Sequence, residues 1–274
     1  MDIDVIVRCR NEMPHAARAL DALSEQRGVR GRVLFFDCKS TDGSREAAVR
    51  AGVEIVDVDP AKYVPGAVLN AGMRATRAPW VAFINADVVA LDPDAIARMA
   101  GPLGERQVAA SFGRQVARAD ADACARADTE RAFGSMSPGP VRAGSFFSMA
   151  ASIVRRDWWE RSPFDEQIRY SEDVEWTRRM SLLGASIVYV PDARFEHSHN
   201  YDWRAHFRRR RGEGAADSEI FGLGPVRVGR EGLVPLAGAL VRDAREGRLS
   251  IDLVTKRAMQ AAGYVWGRAR GIAP

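Results

Sequence analysis

Short apolar runs alternate with helical periodicity through the first hundred residues. The runs IDVIVR, VLFFD, VEIVDV and WVAFI are followed by helix-patterned segments at 14–26, 42–50, 66–76 and 92–99. Short strands separated by helices of this length predict a βαβαβαβ order and a mostly parallel sheet flanked by helices, an α/β fold. Asn11 ahead of Pro14, and Asp92 ahead of Pro93, read as helix starts. Residues 107–117 and 144–154 predict two more strands, separated by a polar helical stretch and the turn-rich SMSPGPVRAG. EDVEWTRRMSLLG (172–184) predicts an amphipathic helix ending at Gly184, and SIVYVP predicts another strand. From residue 201 the pattern changes to helices with arginine-rich faces. The expected organisation is one domain over 1–200 and a helical C-terminal extension over 201–274.

Composition narrows the class. With 274 residues and 46% hydrophobic content, a sizeable core can be buried. No run of about 18 uncharged apolar residues occurs, and MDIDVIVRCRNE lacks a basic stretch leading into an apolar one. The expectation is therefore a chain neither exported by that route nor membrane-spanning. Cys9, Cys38 and Cys124 are odd in number and lack CxxC spacing, which suggests neither disulfides nor zinc and fits a reducing cytoplasm. Residues 1–200 carry 26 Lys/Arg against 28 Asp/Glu, whereas 201–274 carry 14 against 8. A basic tail of net +6 suits an anionic partner, either phosphate groups or the inner face of a membrane, although a solvated face would look the same.

In an open α/β sheet, ligands gather at the carboxyl ends of the strands. Here VLFF ends in Asp37 and continues CKSTDGS, and WVAFI ends in Asn85-Ala86-Asp87. A carboxylate at the end of a buried strand costs desolvation unless a cation or donor meets it. One such Asp reads as a helix cap; two on neighbouring strands make a metal or nucleotide site.

At these residues the chain resembles the family 2 glycosyltransferases, in order along most of the first 200 positions. The resemblance implies a GT-A fold, with 1–100 as a nucleotide-binding half and 101–200 as an acceptor half. VIVRCRNE looks like the opening strand, placing Arg8, Asn11 and Glu12 against the donor. FDCKSTDGS resembles D-x-x-S-T-D-G-[ST], in which Asp37 contacts the base with Ser40 and Asp42 nearby. Gly66, Asn70, Ala71 and Gly72 fall on a helix beside the donor. INADV aligns with the metal-binding D-x-D, giving Asn85, Ala86 and Asp87; Asn85 departs from the pattern, so Asp87 is the expected main ligand of Mn²⁺ or Mg²⁺. In SEDVEWTRR, Asp173 matches the base that deprotonates the acceptor, with Glu172 beside it and Trp176 against the acceptor or the core. Gly144 and Ser145 through Met149, and Arg155 to Trp158, are implied as the acceptor floor. HSHNY followed by a basic aromatic helix is similar to bacterial rhamnosyltransferase-like members, which makes His197 a third metal ligand or diphosphate contact. One or two of Arg208 to Arg211 would meet a phosphate or lipid headgroups.

Plainer readings accompany these. Glu172 and Asp173 at a helix start are favoured by the macrodipole alone. His197 and His199 alternate as a zinc pair would, yet no further ligand cluster accompanies them. A nucleotidyltransferase would need a glycine-rich loop near the first strand, and a Rossmann oxidoreductase GxGxxG; RCRNEMPH has neither. Four adjacent arginines without an aromatic stacking sheet are weak grounds for nucleic-acid binding, and none is expected. The expectation is an inverting, metal-dependent glycosyltransferase. It would take a nucleotide-diphosphate sugar and a hydroxyl acceptor, in one version lipid-linked, during polysaccharide or glycoconjugate assembly. The rival is a non-catalytic nucleotide-sugar-binding protein with a degenerate metal site.

Overall fold

A computed structural model describes residues 1–141 and 146–271. In chain order the elements are β1 (Ile3–Cys9), α1 (His15–Ser24), β2 (Val33–Asp37), α2 (Ser44–Arg50), β3 (Glu54–Asp57), α3 (Pro65–Ala75), β4 (Trp80–Asn85), β5 (Val89–Ala90) and α4 (Ala95–Ala100). There follow β6 (Val108–Val116), α5 (Ala123–Thr129), β7 (Gly139–Pro140), β8 (Ala151–Arg155), α6 (Arg156–Arg161), α7 (Glu172–Leu182) and β9 (Ser186–Glu196). The chain ends in α8 (Trp203–Phe221), α9 (Val234–Arg245) and α10 (Ile251–Arg270).

Two compact units result, the first made of 1–116, 132–167 and 172–197. Its sheet runs β3-β2-β1-β4-β8-β6-β9-β5, with β7 also paired to β9. The first four strands are parallel, as the alternation predicts. Beyond them β8 runs against both β4 and β6, while β9 is parallel to β6, so the second half is mixed. Apolar runs encode burial and not strand direction, which is why the mixture was not legible.

Because β1 is central, most of its side chains are apolar and buried on both faces. Ile3, Val5 and Val7 join α1, α2 and α4 in one core, whereas Ile6 joins α3, α6 and α7 in another. At Gly66 on α3, a Cβ would lie 1.9 Å from the Asp165 carbonyl oxygen, so only glycine permits the approach. Two start signals were misassigned. Asn11 Oδ1 accepts from the Thr41 amide at 2.7 Å instead of capping α1, and Asp92 pairs with Arg194 at 2.8 Å while α4 begins after Asp94.

The second unit combines 117–131, 168–171 and the chain from Ser198 onward. It therefore draws in two stretches that the linear reading assigned to the first domain. Helices α8 and α10 pack so closely that a Cβ on Gly267 would meet the Arg211 carbonyl at 2.0 Å. Its buried cations are paired: Arg257 with Asp243 and Asp128, Lys256 with Asp122, Arg268 with Glu231. No helix among the described residues is long and apolar enough to cross a membrane.

Candidate active site

Within the first unit, several chain segments bring polar groups toward the carboxyl ends of β1 and β4. Arg8 lies opposite Asn85 in the parallel register of these strands. Its guanidinium donates to Asn85 Oδ1 from Nε at 3.2 Å and from Nη2 at 2.9 Å. The same group stands 3.8 Å from Glu172 at the start of α7. Arg8 thus joins the INAD turn to the acidic pair.

Two residues beyond Asn85, buried Asp87 presents Oδ2 3.2 Å from His197 Nε2. His197 follows directly on β9, which extends well past SIVYVP to Glu196. Its Nδ1 meets Gln115 Oε1 at 2.7 Å, and Gln115 Nε2 donates to Ser148 Oγ at 2.7 Å. A carboxamide oxygen only accepts, so in this arrangement Nδ1 carries the proton. With the ring neutral, the Nε2 lone pair and the Asp87 oxygen face one another, a donor set that a divalent cation satisfies and whose outer partner fixes the ring. Gln115, near the end of β6, was not singled out from the sequence; its only signal is a polar residue on a strand that is otherwise mostly buried. His199 lies in the second unit, stacked on Tyr201 with ring centroids 4.9 Å apart.

Asp173 is partly buried, accepting from its own helix at Val174 N (2.8 Å) and from Met149 N (3.4 Å). Burial foremost, then the Glu172 carboxylate, raises it to about 7, against the pull of those amides and of Arg8. A carboxyl group poised there can hold and release a proton near neutrality.

The β1 and β2 loops are laced together. Ser40 Oγ accepts from Asn11 N, Asp42 from Met13 N, and Ser44 Oγ from Glu12 N. Asp42 is further held by the Ser44 hydroxyl; burial resists its ionisation, but these donors lower its pKa. Asp37, fully buried, accepts from Ser40 N and pairs with Arg45, which also reaches Asp57.

Several expected contacts prove structural. Asn70 is buried and saturated: Oδ1 accepts from Trp159 Nε1 and Phe164 N, and Nδ2 donates to Phe164 O and Glu166. It ties α3 to the 159–166 segment, leaving nothing for a donor. Ala86 gives its methyl to the core and its amide to the Arg8 carbonyl. Trp176 is 0% exposed, packs on Phe164 and donates to Ser162 O, so it is a core residue and no acceptor contact. Arg155 pairs in register with Trp80, at the opposite end of β4 from Asn85, which removes Arg155 to Trp158 from the acceptor floor. Gly144 and Ser145 lie outside the described residues.

The sequence profile described as glycosyltransferase like family 2 matches residues 2–215. The chain belongs to the family 2 glycosyltransferases. As a family 2 member it is 26% identical over 198 residues to the O-antigen chain rhamnosyltransferase WbaN of Salmonella anatum, covering 69% of this chain and 63% of that protein. It is 26% identical over 222 residues to RfbN of Salmonella typhimurium, an enzyme of the same description, covering 76% and 70%. The match to WbaN thus spans less than two thirds of that relative's length. Among solved structures, the fold resembles the mannosyltransferase PcManGT of Pyrobaculum calidifontis, determined with GDP-Man and Mn²⁺, at TM-score 0.67 and 19% identity over 95% of this chain and 85% of that one. Glucosyl-3-phosphoglycerate synthase of Mycobacterium tuberculosis, determined with Mn²⁺, UDP and phosphoglyceric acid, matches at 0.58 and 17% over 80% and 78%. The GT-A fold expected from the sequence is the fold observed.

Proposed function

We propose that this family 2 member transfers a sugar, with inversion, from a nucleotide-diphosphate sugar to a hydroxyl acceptor in glycan assembly. The observation that carries the reading is the run of contacts from Asn85 through Arg8 to Glu172, with Asp87 and His197 at one end and Asp173 at the other. Asp87 and His197 would hold a divalent cation, which supplies positive charge against the diphosphate leaving group. Arg8 adds fixed positive charge between donor and acceptor sides. Asp173 takes the proton of the acceptor hydroxyl as its oxygen bonds to the anomeric carbon and the bond to the diphosphate oxygen breaks. A single displacement of this kind inverts the centre.

Residues 1–100 serve as the nucleotide side in this proposal, with Asn11, Glu12, Asp37, Ser40 and Asp42 shaping its loops, and residues 101–200 serve as the acceptor side. The two rhamnosyltransferase relatives make a deoxyhexose donor the first to try, with a lipid-linked saccharide as acceptor. The test is a thermal-shift panel of UDP-, GDP- and dTDP-sugars with and without Mn²⁺, followed by transfer with the stabilising donor. Metal-dependent stabilisation by one donor supports the reading. Stabilisation without turnover on any acceptor would leave a nucleotide-sugar-binding protein, and no stabilisation by any donor would overturn the proposal.

A further inference from the structure

In the second unit the outward face of α9 is apolar where a solvated helix should be polar. Leu233, in the turn that leads into it, is 62% exposed, Val234 67% and Val241 50%. Ala237 and Ala244 lie on the same side at helical spacing and are also exposed. The opposite side carries buried Gly232, Ala239 and Asp243, the last held by Arg257, with Leu236 and Leu240 half-buried beside them. Leu233, Val234 and Val241 are instead left exposed on the outer side. Just beyond α9, Leu249 is 50% exposed and Ile251, the first residue of α10, 89%.

Cations and acids both border this face, and they differ in whether they are paired. Arg230, Arg242 and Arg245 are exposed, and among the described residues none has an ion pair within 4 Å. The acids nearby are already engaged, Glu231 by Arg268, Glu246 by Arg248 and Asp252 by Lys256. By contrast, Arg209 and Arg210 of the RRRR cluster, the sequence's candidate for an anionic partner, both pair with Glu213. Arg230, Arg242 and Arg245 therefore set exposed positive charge beside the aliphatic residues of α9, as exposed Arg204 and Arg208 do on α8.

We propose that the α9 face, from Arg230 to Ile251, docks on an anionic lipid surface. Aliphatic side chains ringed by unpaired arginines fit the boundary between acyl chains and acidic headgroups, where burial and charge attraction add. The docking does not depend on glycosyl transfer.

The test sediments the full chain with vesicles of phosphatidylcholine alone, or with phosphatidylglycerol added, at low and high salt. Binding is expected only with phosphatidylglycerol, weakening at least about tenfold at high salt. Val234→Glu with Val241→Glu should lower partitioning at least about tenfold, as should Arg242→Glu with Arg245→Glu. Both pairs should keep the wild-type melting temperature and any donor-induced shift, so a failure to dock is read separately from a failure of the donor site. Should the glutamate pair not fold, Val241→Cys carrying an environment-sensitive fluorophore reports the same contact by a blue shift on phosphatidylglycerol vesicles. Wild-type binding to neither vesicle, unchanged binding by both charged pairs, or no fluorophore shift overturns the proposal. So does a dimer in light scattering that Val234→Glu with Val241→Glu converts to monomer, which would give the face to a second copy of the chain.

Discussion

The Arg8 guanidinium holds Asn85 Oδ1 with two hydrogen bonds, at 3.2 and 2.9 Å. The position where the family motif carries an acid is thus spoken for by a neighbouring strand. Asn85→Asp should form an ion pair with Arg8 and not an additional metal ligand. Mn²⁺ affinity measured by calorimetry should change by less than about threefold, because the new charge is matched at once. A large gain would show the carboxylate turning toward the metal instead.

Asp87 and Gln115 should separate into a ligand and its ring-setting partner. Asp87→Ala should abolish Mn²⁺-dependent donor binding. Gln115→Leu keeps the ligands but frees the His197 ring, and should weaken Mn²⁺ by about ten- to a hundredfold in a direct titration. Equal Mn²⁺ affinity in Gln115→Leu and wild type would remove Gln115 from this role.

Asp173→Asn should leave donor and metal affinity intact while transfer falls at least about a hundredfold. Its effect on stability has the opposite sign. The folded pKa, near 7, lies above the ordinary carboxylate value. Below about pH 4 both folded and unfolded states are protonated and the group contributes nothing. As pH rises toward 7 the unfolded state ionises first, so folding loses stability, and above 7 the full penalty, at most about 4 kcal/mol, is constant. Asp173→Asn should therefore melt higher than wild type at pH 8 and level with it below pH 4. A lower melting temperature at pH 8 would contradict this.

The acidic limb of the kcat profile should sit near pH 7 and move predictably. Glu172→Gln removes the like charge that helps raise Asp173, so the limb should shift to lower pH. Arg8→Met removes the cation that opposes it, so the limb should shift up. Inactivity of Glu172→Gln beside a fully active Asp173→Asn would exchange the two roles.

Asn70→Ala strips four hydrogen bonds from a buried hub and should cost about 3 kcal/mol or more in denaturant melts. The donor affinity of the folded fraction should not change. Loss of donor affinity in a fully folded Asn70→Ala protein would return this residue to the donor side.

The strand ends that build the site were legible because Asp37, Asn85 and Asp87 each close an apolar run, and polar groups there need partners. Their partners were not. Arg45 lies eight positions beyond Asp37 on α2, where sequence alone gives only a helical arginine, and nothing local marks Arg8 as the group that binds Asn85. Asn70 and Trp176 show a different limit: a motif fixes where a residue falls in the chain, while only the packed core decides whether it faces the cleft or the interior.

His197 begins where a ladder ends: β6 and β9 stay paired through Val116 and Glu196, and the His197 amide still donates to the Val116 carbonyl at 2.9 Å. Gln115, one residue before Val116, is carried by the same pair of strands. The histidine and the amide that orients it therefore share one mount, so a cation bound there as proposed would meet a ring whose ordering entropy was lost during folding and not on binding.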